Sequence, residues 1–106
     1  MEITDKNFKK EVIEKSKEIP LVVDFWAEWC IRCLTLSPIL EEVIKDFKGK
    51  FILIKVNVDK VPKISGKYKI MSIPNVKMFK DGKMIKAFVG VKSENFIRGW
   101  LNKNLK

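Results

Sequence analysis

Apolar residues recur along this chain with a period that changes several times, and the changes mark the elements. From Thr4 to Lys17, Phe8, Val12 and Ile13 fall at helical spacing, with Thr4 or Asp5 placed to cap the first turn. Leu21 to Ala27 is apolar and β-rich, broken only by Asp24, as expected of a strand buried on both faces. From about Ile31 to Phe47 the pattern is helical again, carried by Ile39, Leu40, Val43, Ile44 and Phe47. Pro38 lies inside this segment and should kink it, because it has no N–H for the helix ladder. Gly49 is a plausible stop. Phe51 to Val58 is a second run suited to a buried strand, so strand, helix and strand form a right-handed βαβ unit.

Val61 to Tyr68 reads as a short helix. Val76–Phe79 and Met84–Val89 flank Asp81-Gly82, a hairpin signal because type I′ turns need positive φ. A last helix starts near Ser93, with Glu94 in its first turn, and Phe96, Ile97, Trp100, Leu101 and Leu105 form its buried stripe. The order is βαβαβαββα with the leading strand left open. It predicts an α/β fold: a central mixed sheet of four or five strands, flanked by about four helices, in one domain spanning residues 1–106. There is no internal repeat, linker or low-complexity tract.

Composition adds few constraints. The chain's 106 residues, 46% of them hydrophobic, can bury one core. Its 22 basic and 13 acidic residues give a net charge of +9, which raises the question of nucleic acid. The lysines are spread over polar faces, however, and no run interleaves them with stacking aromatics, so no nucleic-acid partner is expected. Met1-Glu2-Ile3-Thr4-Asp5 lacks the layout of a signal peptide, and no apolar run approaches a membrane span. A cytoplasmic protein with no membrane partner is the expectation. The chain has no His, which removes Ser-His and Cys-His catalysis and every imidazole-bound metal site.

The chemistry therefore falls on Trp29-Cys30-Ile31-Arg32-Cys33, between the buried strand and the kinked helix. A zinc site needs about four N or S ligands, which two cysteines without His cannot supply in one chain, leaving only a metal shared by a dimer. A structural disulfide closing so small a loop adds little stability and tends to be reduced in the cytosol. Redox exchange is the reading this context favours. Cys30 would sit at a helix N-terminus, where unpaired N–H groups and the helix dipole favour the thiolate that attacks. Cys33, one turn further in, would resolve the mixed disulfide.

The segment Val23-Asp24-Phe25-Trp26-Ala27-Glu28-Trp29-Cys30-Ile31-Arg32-Cys33 resembles the active-site segment of the thioredoxin family. The likeness runs nearly end to end, through Pro38-Ile39-Leu40-Glu41-Glu42, Lys55-Val56-Asn57-Val58-Asp59, Ser72-Ile73-Pro74, Phe79-Lys80-Asp81-Gly82 and Gly90. It implies the thioredoxin fold and the reduction of protein disulfides. It also implies disulfide-containing protein substrates, a thioredoxin reductase or equivalent electron donor, no bound cofactor and a monomer. By this resemblance Asp24 is a buried carboxylate beneath the site, its pKa raised, able to accept the proton of Cys33. Lys55 is either its charged neighbour or a solvated strand residue. Pro74 matches a cis-proline facing the disulfide, and Ile73 offers backbone hydrogen bonds to an extended substrate. Trp29, Ile31, Ile73 and Gly90 form an apolar docking surface by the same likeness, whereas Trp26 and Phe25 read as core and support and Trp100 as core at helical spacing.

Three departures bear on poise. Ile31-Arg32 stands where thioredoxins usually have Gly-Pro, Leu34 where Lys is frequent, and Asn75 where Thr follows the proline. Arg32 beside the thiolate should favour the reduced form and make the couple more oxidising. A more oxidising, glutaredoxin-like or isomerase-like exchange protein is thus the second reading, and a non-catalytic binding module the third.

Overall fold

The structure, a computed structural model, describes residues 1–105. Four strands form one sheet: β1 (Leu21–Trp26), β2 (Ile52–Asn57), β3 (Asn75–Lys80) and β4 (Lys83–Val89), in the order β2-β1-β3-β4. β1 runs parallel to β2 and antiparallel to β3, and β3 runs antiparallel to β4. The mixed sheet expected from the sequence is present with four strands, since residues 1–4 form none.

Helix α1 (Ile31–Lys45) crosses from β1 to β2 and continues through Pro38. Helices α2 (Pro62–Lys67) and α3 (Glu94–Lys103) complete the set with an N-terminal helix, which is π-helical over Lys9–Glu14 and 3-10 over Lys15–Lys17. Because side chains alternate across a strand, β1 builds two cores. Val22 joins Leu36, Leu40, Val43, Met78, Ile97 and Leu101 under α1 and α3. Leu21, Val23 and Phe25 join Phe8, Val12, Val56 and Phe79 on the opposite face. All six β1 residues but Trp26 are fully buried, which explains the uninterrupted apolar run around Asp24.

The hairpin turn is as the sequence predicts, with Asp81 at φ 54° and Gly82 at φ 86°. Ser93 caps α3 by accepting a hydrogen bond from the Phe96 amide at 3.1 Å. The stripe expected from the sequence is corrected: Phe96 is exposed, meeting Phe88 at a near-perpendicular angle with the Lys92 ammonium over its ring, and Leu105 is exposed beyond the end of α3, so the buried stripe is Ile97 and Leu101, with Trp100 half-buried. The N-terminal cap is Thr4, in a reciprocal pair with Asn7 (3.2 and 2.7 Å).

Asp5 instead reaches across the molecule, its carboxylate accepting from the Lys63 and Ile64 amides at 3.2 and 3.0 Å. It satisfies the first free N–H groups of α2, which has no cap of its own. Asp5→Ala should therefore lower stability by about 1 kcal/mol, seen as a shifted midpoint in urea unfolding with an unchanged slope.

A dithiol–disulfide site at the start of helix α1

Strand β1 ends at Trp26, and the chain turns through Ala27, Glu28 and Trp29 before α1 begins. Cys30 is the N-cap residue, extended at φ −95° and ψ 102°, and its Sγ accepts a hydrogen bond from the Cys33 amide at 3.2 Å. Cys30 and Cys33 are joined by a disulfide, with Cα atoms 5.3 Å apart. Cys33 is buried at 1% exposure, whereas Cys30 keeps 7%. The outer sulfur thus belongs to the residue at the helix N-terminus, where the amides and dipole favour an anion.

The Ile73–Pro74 peptide bond is cis, and the Ile73 carbonyl oxygen lies 3.9 Å from Cys30 Sγ. The Pro74 carbonyl accepts from the Gly90 amide at 2.8 Å, and Gly90 adopts φ 89°, a conformation natural to glycine. These contacts bring the Ile73–Pro74 segment to the sulfur and tie Gly90 to that segment. Trp29 and Ile31, the neighbours of Cys30 in the chain, are 68% and 79% exposed, and Leu34, Met71 and Val91 are exposed as well.

Asp24 lies on the α1 face of β1, fully buried, with neither carboxylate oxygen holding a hydrogen-bond partner. Loss of water pushes its pKa up to about 6, the attraction of Lys55 opposes this, and the charge of Glu41 on α1 adds to it. A buried, unpaired carboxylate that close to neutrality is a functional-site signal. Lys55 is its register partner on β2, but the ammonium is exposed and sits 5.0 Å over the Trp26 ring. It is therefore both things the sequence left open: a solvated strand residue and a charge felt by Asp24.

Asp59 escaped the sequence reading. Its carboxylate accepts from the Trp29 indole at 2.8 Å, and its own amide donates to Asn57 Oδ1 at 3.0 Å. The Asn-x-Asp sequence at the end of β2 signals such a turn, though not its distant tryptophan. Glu41 stands in a stretch that carries the family likeness, but nothing in the sequence ties it to Asp24. Among the described residues no cluster of three or more metal-ligating side chains exists.

Cysteines in this arrangement, on this sheet, define a thiol–disulfide oxidoreductase. The family model described as Thioredoxin matches residues 1–103. A thioredoxin of Rickettsia felis is 43% identical over 103 residues, covering 97% of this chain and 96% of that protein. One from Rickettsia bellii is 44% identical over the same length and coverage. A thioredoxin of Chlorobaculum thiosulfatiphilum is 44% identical over 96 residues, covering 91% of this chain and 87% of that one. The chain belongs to the thioredoxin family, and its activity is the reduction of protein disulfides.

Proposed function

We propose that Cys30 is the attacking thiolate and Cys33 the resolving thiol of a protein-disulfide reductase. The observation that carries this is the N-cap position of Cys30, whose sulfur accepts the Cys33 amide while Cys33 is closed in beneath it. The Cys30 thiolate attacks one sulfur of a substrate disulfide, forming a mixed disulfide and releasing the other sulfur as a thiolate, which takes up a proton. Asp24 accepts the proton of Cys33, and the Cys33 thiolate attacks Cys30 Sγ, closing the Cys30–Cys33 disulfide and releasing the second substrate sulfur. Two electrons pass to the substrate, and an external reductase restores the dithiol.

The surface around Trp29, Ile31, Ile73, Pro74 and Gly90 receives the substrate. The Ile73 carbonyl and amide face an extended strand of the partner, and Arg32 lies at the edge of this contact. Lys55 holds part of the Asp24 charge in check. Exchange needs only the two cysteines of one chain, so a monomer suffices, and a reducing compartment such as the cytoplasm suits it.

Arg32 sets the poise. A cation two residues from Cys30 stabilises the thiolate, so the reduced form gains. The Cys30–Cys33 couple should lie above the roughly −270 mV of an ordinary thioredoxin, towards the roughly −180 mV of an isomerase. Replacing Ile31-Arg32 by Gly-Pro should lower it by about 30 mV. Equilibration against a dithiothreitol or glutathione series measures both values. A wild-type potential at or below −270 mV would refute the role given to Arg32.

A further inference from the structure

The start of α1 and the chain on either side of Pro74 and Gly90 carry little charge, with Glu28, Lys69 and Lys92 at their borders. From Cys30 to Leu40, from Ile70 to Val76 and from Phe88 to Val91, the only charged residue is Arg32. It is exposed, and among the described residues no ion pair or hydrogen bond engages its guanidinium. On the far side of Trp29, Asp59 is occupied by the indole, and Glu28 faces Lys60, whose ammonium pairs with Glu2 at 2.6 Å. A protein that delivers a disulfide to Cys30 thus meets the exposed apolar side chains of Trp29 and Ile31, the residues on either side of Cys30, with the cation of Arg32 next to them in the chain.

We propose that Arg32 is a specificity-determining residue, selecting substrate disulfides whose flanking segment carries a carboxylate next to an apolar side chain. The proposal rests on the docking reading given under Proposed function. Covering a guanidinium with an apolar or cationic partner strips its water without compensation, whereas a carboxylate pairs with it in a bidentate hydrogen-bonded contact. The charge pattern therefore discriminates by penalising the wrong partner as much as by attracting the right one. Ile31 and Leu34, on either side of Arg32 and Cys33, supply the apolar half of the recognition, and the net charge of +9 adds a long-range pull of the same sign.

The test uses two disulfide-linked peptide dimers that share an Ile beside the cysteine and differ only in a flanking Glu or Lys. Each rate of reduction by the dithiol protein is divided by the rate with dithiothreitol, which cancels the intrinsic reactivity of each peptide. The wild-type protein should prefer the Glu peptide by about fivefold at low salt, less at high salt. Arg32→Glu should reverse that preference. Lys45→Glu makes the same charge change near the far end of α1, about 20 Å away by helical rise, and should keep it. Because the readout is a ratio within one variant, a change in potential does not move it. An Arg32→Glu protein that retains the wild-type preference, or a wild-type protein with none, overturns the proposal. A wild-type protein that reduces neither peptide overturns the docking reading beneath it as well.

Discussion

Cys30→Ser should abolish disulfide reduction, lowering the rate by about a thousandfold or more, to that of the uncatalysed reaction. Cys33→Ser should behave differently. Its Cys30 thiolate still attacks, but nothing resolves the product, so the protein accumulates as a mixed disulfide with its substrate. The asymmetry follows from geometry. Cys30 caps α1 and keeps an opening to solvent, whereas Cys33 lies inside the first turn at 1% exposure. Mass spectrometry of each variant after incubation with a disulfide-bonded protein checks this. An adduct on Cys33 in the Cys30→Ser protein, with none on Cys30 in the reverse case, would invert the assignment.

Asp24→Asn carries the second large effect, and its sign depends on pH. Burial holds the folded pKa at about 6 against an ordinary 3.8, so the folded chain binds this proton more tightly than the unfolded one. The group's stabilising contribution is full below about pH 3.8 and is lost as the pH rises through 6. The span of roughly two units corresponds to about 3 kcal/mol. An amide never ionises, so Asp24→Asn should be more stable than the parent by up to about 3 kcal/mol at pH 7 and by only about 0.6 kcal/mol at pH 4. The same change should slow resolution by Cys33 by about a hundredfold, the usual contribution of a positioned base. It should also flatten the activity profile between pH 5 and 7. Urea unfolding at the two pH values and single-turnover kinetics read the two halves independently. Equal stability of the two proteins at pH 7 would refute the buried, unpaired carboxylate.

Asp24 and Cys30 already stand out in the sequence. Asp24 interrupts the most apolar run of the chain, and a charge there cannot be paired by its own strand, so its burial demands a reason. Cys30 stands where a strand pattern gives way to a helix pattern, which is enough to place it on α1's free amides. Gly82 and Asp81 mark the hairpin because positive φ is costly elsewhere. What stayed hidden depends on contacts between segments far apart in the chain. Asp5 looks like a local cap, yet its partners are amides 58 and 59 positions away. The bond between Asp59 and Trp29 joins the end of β2 to the turn before α1, and neither residue announces the other. Glu41 acts on Asp24 only because α1 lies over β1. Phe96 follows the helical period faithfully but falls at the rim of the α3 contact, where the period cannot report how far the sheet extends. Lys55 shows the same limit: register puts it beside Asp24, while the Trp26 ring draws its ammonium aside.

The attacking sulfur is the centre of this account, and alkylation tests it most directly. The reduced wild-type protein is treated near pH 7 with less than one equivalent of iodoacetamide, and the labelled cysteine is located by peptide mapping. The geometry predicts label on Cys30, with Cys33 left free. Label on Cys33, or equal label on both, would contradict it.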